Sequence, residues 1–337
     1  MLQTLAKPHI GDIAPGFKLL SMQGEVTDLR ADNRAGKPSL LIFLPAGQNM
    51  AQLSAFVESA QEFSKLQATI YVIARDRGQL ENARVGITAL PDPEGKVMAA
   101  FGLQNEIKVF VIAPNRHIAG IYPGMDCLPE VKSKIQAIAE HYQSAQLTNH
   151  PPVLLIPNIL SSEECRHLMN IYAMQGNIFV EPGHGPSNHT GDYKMRIPDY
   201  GRRDRIDHWI KQSDTNKYID ERLGRRLFPE ILKAFQYRIT KREDYRIGCY
   251  EGERGGELHG HRDNTSPRVA HRRFACSINL NTEDFEGGEL RFPEFGNHLY
   301  RPPTGAAIVF SSSLLHEPLH VTAGRRFVLL AFLYGDH

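Results

Sequence analysis

The sequence predicts an α/β domain followed by an α+β domain, and three observations carry that reading. Apolar runs of strand length alternate with helix-periodic stretches from Ser39 to about residue 142. His150-Pro151-Pro152 cannot continue a helix and places a boundary between about 145 and 151. Beyond it, helix-periodic segments give way to short apolar runs separated by turns. We divide the chain as 1–147 and 148–337, each part long enough for its own core.

In the first part, GDIAPGFKLLSMQGEVTDL (11–29) reads as a loop leading into a short hairpin that turns at Gln23-Gly24. SLLIFL (39–44) is a continuous apolar run suited to a buried parallel strand. In QLSAFVESAQEFSKLQ (52–67), Leu53, Phe56, Val57, Ala60 and Phe63 recur at helix spacing. ATIYVIAR (68–75) is a second buried strand. VFVIAP (109–114) and HIAGIYPG (117–124) predict two antiparallel strands joined at Asn115-Arg116. PEVKSKIQAIAEHYQ (129–143) closes the unit as a helix. That order is the one of a thioredoxin-like α/β sandwich.

ALPDPEGKVMAAFGL (89–103) followed by VFVIAPNRHIAGIYPG (109–124) resembles the peroxiredoxins of the AhpC/TSA family, over residues 10–145. The resemblance implies a peroxidatic cysteine on the first helical turn after the first buried strand, where the helix N-terminus lowers the thiol pKa. The matching segment, LPAGQNMAQLSAF (44–56), contains no cysteine. NEIKVF (105–110) also lacks the arginine the family places before its late strand. The one thiol in this part is Cys127, well downstream. The expectation is a fold kept and a peroxide chemistry lost, with a redox-sensing Cys127 as the residual alternative.

In the second part, Ser161-Ser162-Glu163-Glu164 signals an N-cap, and the helix it opens is expected to run to Gly176. Residues 180–207 are rich in Gly, Pro, His and Arg without periodicity, and read as a lid or binding loop. YIDERLGRRLFPEILKAF (218–235) predicts a helix interrupted at Pro229. YRIGCY, HRRFACSINLN, GGELRFP, GAAIVFSS and RFVLLAFLY follow as short strands. Helices packed on short antiparallel strands predict a jelly-roll or cupin-like barrel.

Composition narrows the function classes. The formal charge is +1 and 23% of residues are charged, with Lys and Arg dispersed, which argues against a nucleic-acid partner. The densest basic cluster, Gly201 to Arg205, is broken by Asp204 and reads as a solvated loop. No secretion signal is evident in residues 1–20, and no run approaches the ~18 apolar residues of a membrane span. Cys127, Cys165, Cys249 and Cys276 form no CxxC pair, as expected of a reducing cytoplasm.

The chemistry concentrates in YEGERGGELHGHRDN (250–264). On a strand, His261 and Asp263 share a face and can grip one metal ion together. His316 offers a third ligand, and two histidines with one carboxylate suit a non-haem Fe(II). Tyr250, the His261/Asp263 pair, GGELRFP, the Pro303 to Gly305 turn, His316 and Arg326 come in a telling order. It resembles that of the prolyl-hydroxylase-like Fe(II)/2-oxoglutarate dioxygenases, over essentially all of 151–337. VLLIPNILSSEECRHLM (153–169) fits the same family.

The resemblance implies a double-stranded β-helix with packing helices and makes His261, Asp263 and His316 the iron ligands. Arg326 would pair with the distal carboxylate of 2-oxoglutarate, and Tyr250 would hydrogen-bond the same cosubstrate. Tyr250 stands one residue further from the first histidine than is usual in the family. His259 precedes His261, but only His261 has an aspartate two residues on. HEPLHVTAGRR (316–326) puts His320 where the family has proline, and its spacing to Arg326 favours His316 as ligand. Arg325 would point to the opposite face. His184, His189, His271 and His298 read as ordinary polar residues.

The implied reaction is hydroxylation of an unactivated C–H bond by O₂. 2-Oxoglutarate would leave as succinate and CO₂, and ascorbate is the expected supporting reductant. A prolyl side chain in a protein or peptide, a free amino acid and a small metabolite all stay open as substrates. The alternatives are a non-catalytic iron, 2-oxoglutarate or oxygen sensor, and a thiol-redox protein with a regulatory second half. For the first domain, recruitment of a protein substrate and formation of a homodimer both stay open.

Overall fold

The computed structural model describes residues 7–31, 34, 36–81, 83, 85–103, 106–141, 149–174, 178–179, 205–252 and 260–336. The chain divides into two units, Met1–Ala145 and Gln146–His337. Among the described residues no helix is long and apolar enough to cross a membrane.

The first unit opens with the expected hairpin, β1 (Lys18–Leu20) and β2 (Val26–Asp28). Gly24 takes a φ of +83°, and the Ser21 hydroxyl accepts from the N–H groups of Gln23 and Glu25. Then come β3 (Ser39–Leu44), α1 (Ser54–Glu58), α2 (Ala60–Lys65), β4 (Thr69–Ala74) and β5 (Ile87–Pro91). α3 (Lys96–Ala100), β6 (Lys108–Ile112), β7 (Ile118–Pro123) and α4 (Leu128–His141) complete it. The sheet runs β5-β4-β3-β6-β7, with β3, β4 and β5 parallel and β6 and β7 antiparallel.

Every residue of β3 is buried because the sheet is covered on both faces. Leu40, Ile42 and Leu44 meet Phe56, Phe63, Val131 and Ile135 on one side. Leu41 and Phe43 meet Val97, Met98, Phe101 and Phe110 on the other. The single helix expected over 52–67 is in fact split. The Ser59 N–H is shared between the carbonyls of Ala55 and Val57, which closes α1 before α2 begins.

Where a peroxidatic thiol would be needed, amides hold the loop instead. Asn49 caps the short turn Met50–Leu53, its side chain accepting from the Ala51 N–H. Gln79 donates its amide to the carbonyls of Pro45 and Gln48, both at 2.6 Å. Cys127 is buried and donates to the Gly124 carbonyl, and burial pushes its thiol pKa up. A thiol so placed is a poor nucleophile.

The second unit begins with β8 (Val153–Ile156) and α5 (Ser162–Met174). The expected cap forms reciprocally: Glu164 N–H donates to the Ser161 hydroxyl, and Ser161 N–H to the Glu164 carboxylate. The helix is described as far as Met174, and the expected end at Gly176 lies outside the described residues. Next come β9 (Ile178–Phe179), β10 (Ile206–Trp209), α6 (Ser213–Arg226) and α7 (Phe228–Phe235), the two helices parting at Leu227 just before Pro229. β11 (Lys241–Arg242), β12 (Arg246–Glu251), β13 (Phe274–Asn279), β14 (Phe285–Gly287) and β15 (Leu290–Arg291) follow. The last strands are β16 (Leu299–Tyr300), β17 (Ala307–Ser311), β18 (Glu317–Pro318) and β19 (Val321–Tyr334).

The main antiparallel sheet has the order β8-β17-β13-β19-β12-β10-β9, and a smaller one the order β16-β15-β18. One face of the main sheet carries Ile247, Cys249, Ile278, Val309 and Leu329 against Leu168, Ile219, Leu223 and Ile231 of α5, α6 and α7. The other face carries Ala275, Ile308, Phe310 and Phe332, which meet Leu290 and Tyr300 from the smaller sheet and Phe292 just beyond β15. A barrel with its helices outside results, and β12 and β19 send alternate side chains into it.

Gly305 ties this barrel to the start of α5. It adopts a φ of +78°, and its carbonyl accepts from the N–H groups of Ile159 and Leu160. A Cβ there would lie 2.0 Å from the Leu160 carbonyl oxygen. Gly305→Ala is therefore expected to destabilise this unit by about 3 kcal/mol. The urea midpoint, followed through emission of the single tryptophan, Trp209, measures it.

Candidate metal centre

His261 and His316 lie opposite one another on adjacent chain segments. Each N–H donates to the other's carbonyl, at 2.9 and 3.0 Å, so their side chains emerge on one face. His261 is not part of a continuous strand as expected; it is one paired residue followed by a turn. Asp263 is held in that turn, its N–H donating to the Ser312 carbonyl at 2.9 Å. Arg272 steadies the same turn by donating to the Asp263 carbonyl at 3.2 Å. Its fork is fixed on Glu243 by two bonds of 2.6 Å.

The three side chains converge. His261 Nε2 is 3.5 Å from Asp263 Oδ1, and His316 Nε2 is 3.4 Å from Asp263 Oδ2. One ligand atom from each residue can be chosen so that all lie within 4.8 Å of one another. Adjacent ligands of an octahedral ion with bonds of about 2.1 Å stand roughly 3 Å apart, so little movement is needed.

The tautomer of His316 sharpens this. Its Nδ1 lies 3.0 Å from the Leu314 carbonyl, which can only accept, so Nδ1 carries the proton. Burial pushes the His316 pKa down despite the nearby Asp263 carboxylate, so the ring is neutral and Nε2 presents a lone pair. Burial also works against an ionised Asp263. The hydrogen bond with His261 and the charge of Arg272 act against that and lower the carboxyl pKa. His316 Nε2 and an Asp263 carboxylate oxygen therefore face each other at 3.4 Å. That donor set fits a divalent cation.

Arg326 and Tyr250, the two residues expected at a cosubstrate carboxylate, come together on β19 and β12. They are directly paired across these strands, and the guanidinium stacks over the phenol ring at 5.1 Å. Arg326 is buried, and its Nη2 donates to Asn279 Oδ1 at 3.2 Å. Its Nε is buried without a partner among the described residues. Burial pushes the Arg326 pKa down, as expected of a cation lacking a counter-anion. The Tyr250 hydroxyl accepts from Arg205 Nη1 at 3.2 Å, which leaves its own proton to donate. Gly288 makes room for this arrangement, since a Cβ there would come within 3.0 Å of Arg326 Cδ.

The competing residues fall elsewhere. His320 is not in the three-ligand cluster. Arg325 faces away from the barrel and pairs with Glu251 at 3.1 Å. His271 pairs with Glu243, and His298 is exposed. His184, His189, His259 and positions 180–204 of the expected lid lie outside the described residues. The end of that segment corrects the reading of it as a loop: Ile206 to Trp209 form β10, paired with β12. Arg205, taken as part of a solvated cluster, is largely covered and bound to Asp207. Asp207, Arg246, Arg272 and Asn279 were not singled out from the sequence. Only the alternation of Arg246, Gly248 and Tyr250 along one strand face could have found one of them.

Two family models match the sequence. Residues 245–334 match the 2OG-Fe(II) oxygenase superfamily, a span that includes Tyr250, His261, Asp263, His316 and Arg326. Residues 10–121 match the AhpC/TSA family. Similar solved structures include a viral collagen prolyl hydroxylase from Paramecium bursaria Chlorella virus-1. It is 18% identical, with 55% of this chain and 96% of that chain covered and a TM-score of 0.40. A Pseudomonas putida prolyl-4-hydroxylase is 18% identical, covering 56% of this chain and 95% of that one, with a TM-score of 0.40. The peroxidoxin BcpB of Mycobacterium tuberculosis is 24% identical, covering 39% and 98%, with a TM-score of 0.35. A comparison with curated proteins gave no match. The first unit has a thioredoxin-like fold, and the second carries a 2-oxoglutarate/Fe(II) oxygenase domain.

Proposed function

We propose that the second unit is an Fe(II)- and 2-oxoglutarate-dependent dioxygenase that hydroxylates an unactivated C–H bond. The observation that carries this is the convergence of His261, Asp263 and His316, which can each offer one ligand atom within 4.8 Å of the others. His261, Asp263 and His316 would hold the iron, and Arg326 with Tyr250 would take the distal carboxylate of 2-oxoglutarate. Bound there, iron and 2-oxoglutarate supply an oxidant made from O₂, with succinate and CO₂ as coproducts.

The chain's own residues bind and orient. Leu314 fixes the His316 tautomer, Arg272 and Ser312 fix the Asp263 backbone, and Asn279 fixes the Arg326 fork. Phe292 and Phe310 flank the His316 ring, at 6.5 and 4.7 Å between centroids, and keep water from its far side. The expected result in solution is succinate formation that requires added Fe(II), 2-oxoglutarate and O₂ together, supported by ascorbate. A screen of free amino acids and peptides under those conditions tests it. Failure of the protein to bind Fe(II), with no succinate above the protein-free control, would overturn the proposal.

A further inference from the structure

Behind Tyr250 the same barrel face holds a second cationic group that neither iron nor 2-oxoglutarate explains. β12 sends Arg246, Gly248 and Tyr250 to one side, and β10 sets Asp207 opposite Gly248 and Trp209 opposite Arg246. Gly248 is small for a reason: a Cβ there would meet Arg205 Cδ at 2.7 Å and Asp207 Oδ1 at 3.0 Å. The space it leaves admits the Arg205–Asp207 pair. Asp207 is fully buried, and Arg205 grips both its oxygens, Nε to Oδ1 at 2.5 Å and Nη2 to Oδ2 at 2.8 Å. Among the described residues, Arg246 is left with one hydrogen bond, which its Nη1 donates to Oδ2 at 3.4 Å.

Arg246 is thus a cation with spare donors. Its Nε is buried without a partner among the described residues. Its guanidinium lies over the rings of Trp209 at 5.0 Å and Phe332 at 4.8 Å, which hold it in place without neutralising it. Burial pushes its pKa down to about 10, although Asp207 and Asp263 pull the other way. Arg272, the neighbouring cation on Phe332, is matched by Glu243. Among the described residues, two guanidiniums on the one carboxylate of Asp207 leave one positive charge here, within electrostatic reach of Asp263. An apolar side chain could fill the space between the two rings without the desolvation penalty of a charge.

We infer that Arg246, backed by Arg205 and Asp207, receives a carboxylate of the substrate, so that the molecule hydroxylated is a small carboxylic acid such as a free amino acid. A planar fork matches a carboxylate, and one unbalanced charge matches a monoanion. This inference rests on the dioxygenase reading and narrows its substrate.

The site carries its own reporter, because Trp209 is the chain's only tryptophan and stacks on Arg246. Protein loaded anaerobically with Mn(II) and saturating 2-oxoglutarate is titrated with acetate, L-proline and L-leucine, and in parallel with acetamide, L-prolinamide and L-leucinamide. The acids should change Trp209 emission saturably and the amides should not. Arg246→Met, close in volume, should weaken the acid response by about 30-fold or more. Arg246→Lys, which keeps the charge but not the fork, should fall between, and it serves if the methionine variant does not fold. Equal responses to acids and amides, no saturable response to any acid, or an unchanged response in both variants would overturn the inference. Calorimetric binding of Mn(II) and 2-oxoglutarate to the same samples tests the dioxygenase reading separately, so the two can fail independently.

Discussion

Replacing His261 with alanine is expected to abolish stoichiometric Fe(II) binding and, with it, consumption of 2-oxoglutarate. Removing a partner that merely orients a ligand costs roughly 10–100-fold in metal affinity or activity, and removing a ligand should exceed that. The loss should be local. The two backbone hydrogen bonds between positions 261 and 316 do not need the imidazole, and neither does the Asp263–Ser312 bond. Circular dichroism and Trp209 emission should therefore match the parent protein while equilibrium dialysis against Fe(II) shows no bound ion. Asp263→Ala should behave alike, because it removes a carboxylate that faces both imidazoles. A His261→Ala protein that still bound iron and turned over 2-oxoglutarate would sink the ligand assignment.

What could be read from the sequence and what could not divide along physical lines. β3, β12, β13, β17 and β19 were legible because their apolar periodicity records burial directly. The convergence of His261, Asp263 and His316 was legible because an i, i+2 pair and one distant histidine at recognisable spacing suffice to single them out. β10 was not, because Arg205-Ile206-Asp207-His208-Trp209 has the composition of a polar loop. Its Arg205 and Asp207 pair with each other, and strand formation there follows from pairing with β12. β8 was missed for a related reason: its partner, β17, lies about 150 residues further on, and nothing local records that pairing. The break at Ser59 turned on a single shared N–H, which leaves the helical periodicity on either side intact.

Arg326 gives the second large effect, and its form separates cosubstrate binding from structural support. Arg326→Met should raise the KM for 2-oxoglutarate by about 30-fold or more, the range for removing one partner of a buried charge pair. kcat at saturating 2-oxoglutarate should change much less, since the distal carboxylate takes no part in bond making. Lysine at this position should recover only part of the affinity, because it restores the charge without the fork. A merely structural Arg326 would predict otherwise, since its side-chain hydrogen bond goes to Asn279, and Asn279 also donates to the Pro302 carbonyl at 2.8 Å. Loss of support there would lower kcat and stability whatever oxo acid was supplied. 2-Oxobutyrate, which lacks the distal carboxylate, makes the distinction. The parent protein should use it as poorly as Arg326→Met does, because the guanidinium then has nothing to grip. A variant impaired equally towards both oxo acids would instead place Arg326 in the scaffold of the barrel and leave the cosubstrate's carboxylate to another residue.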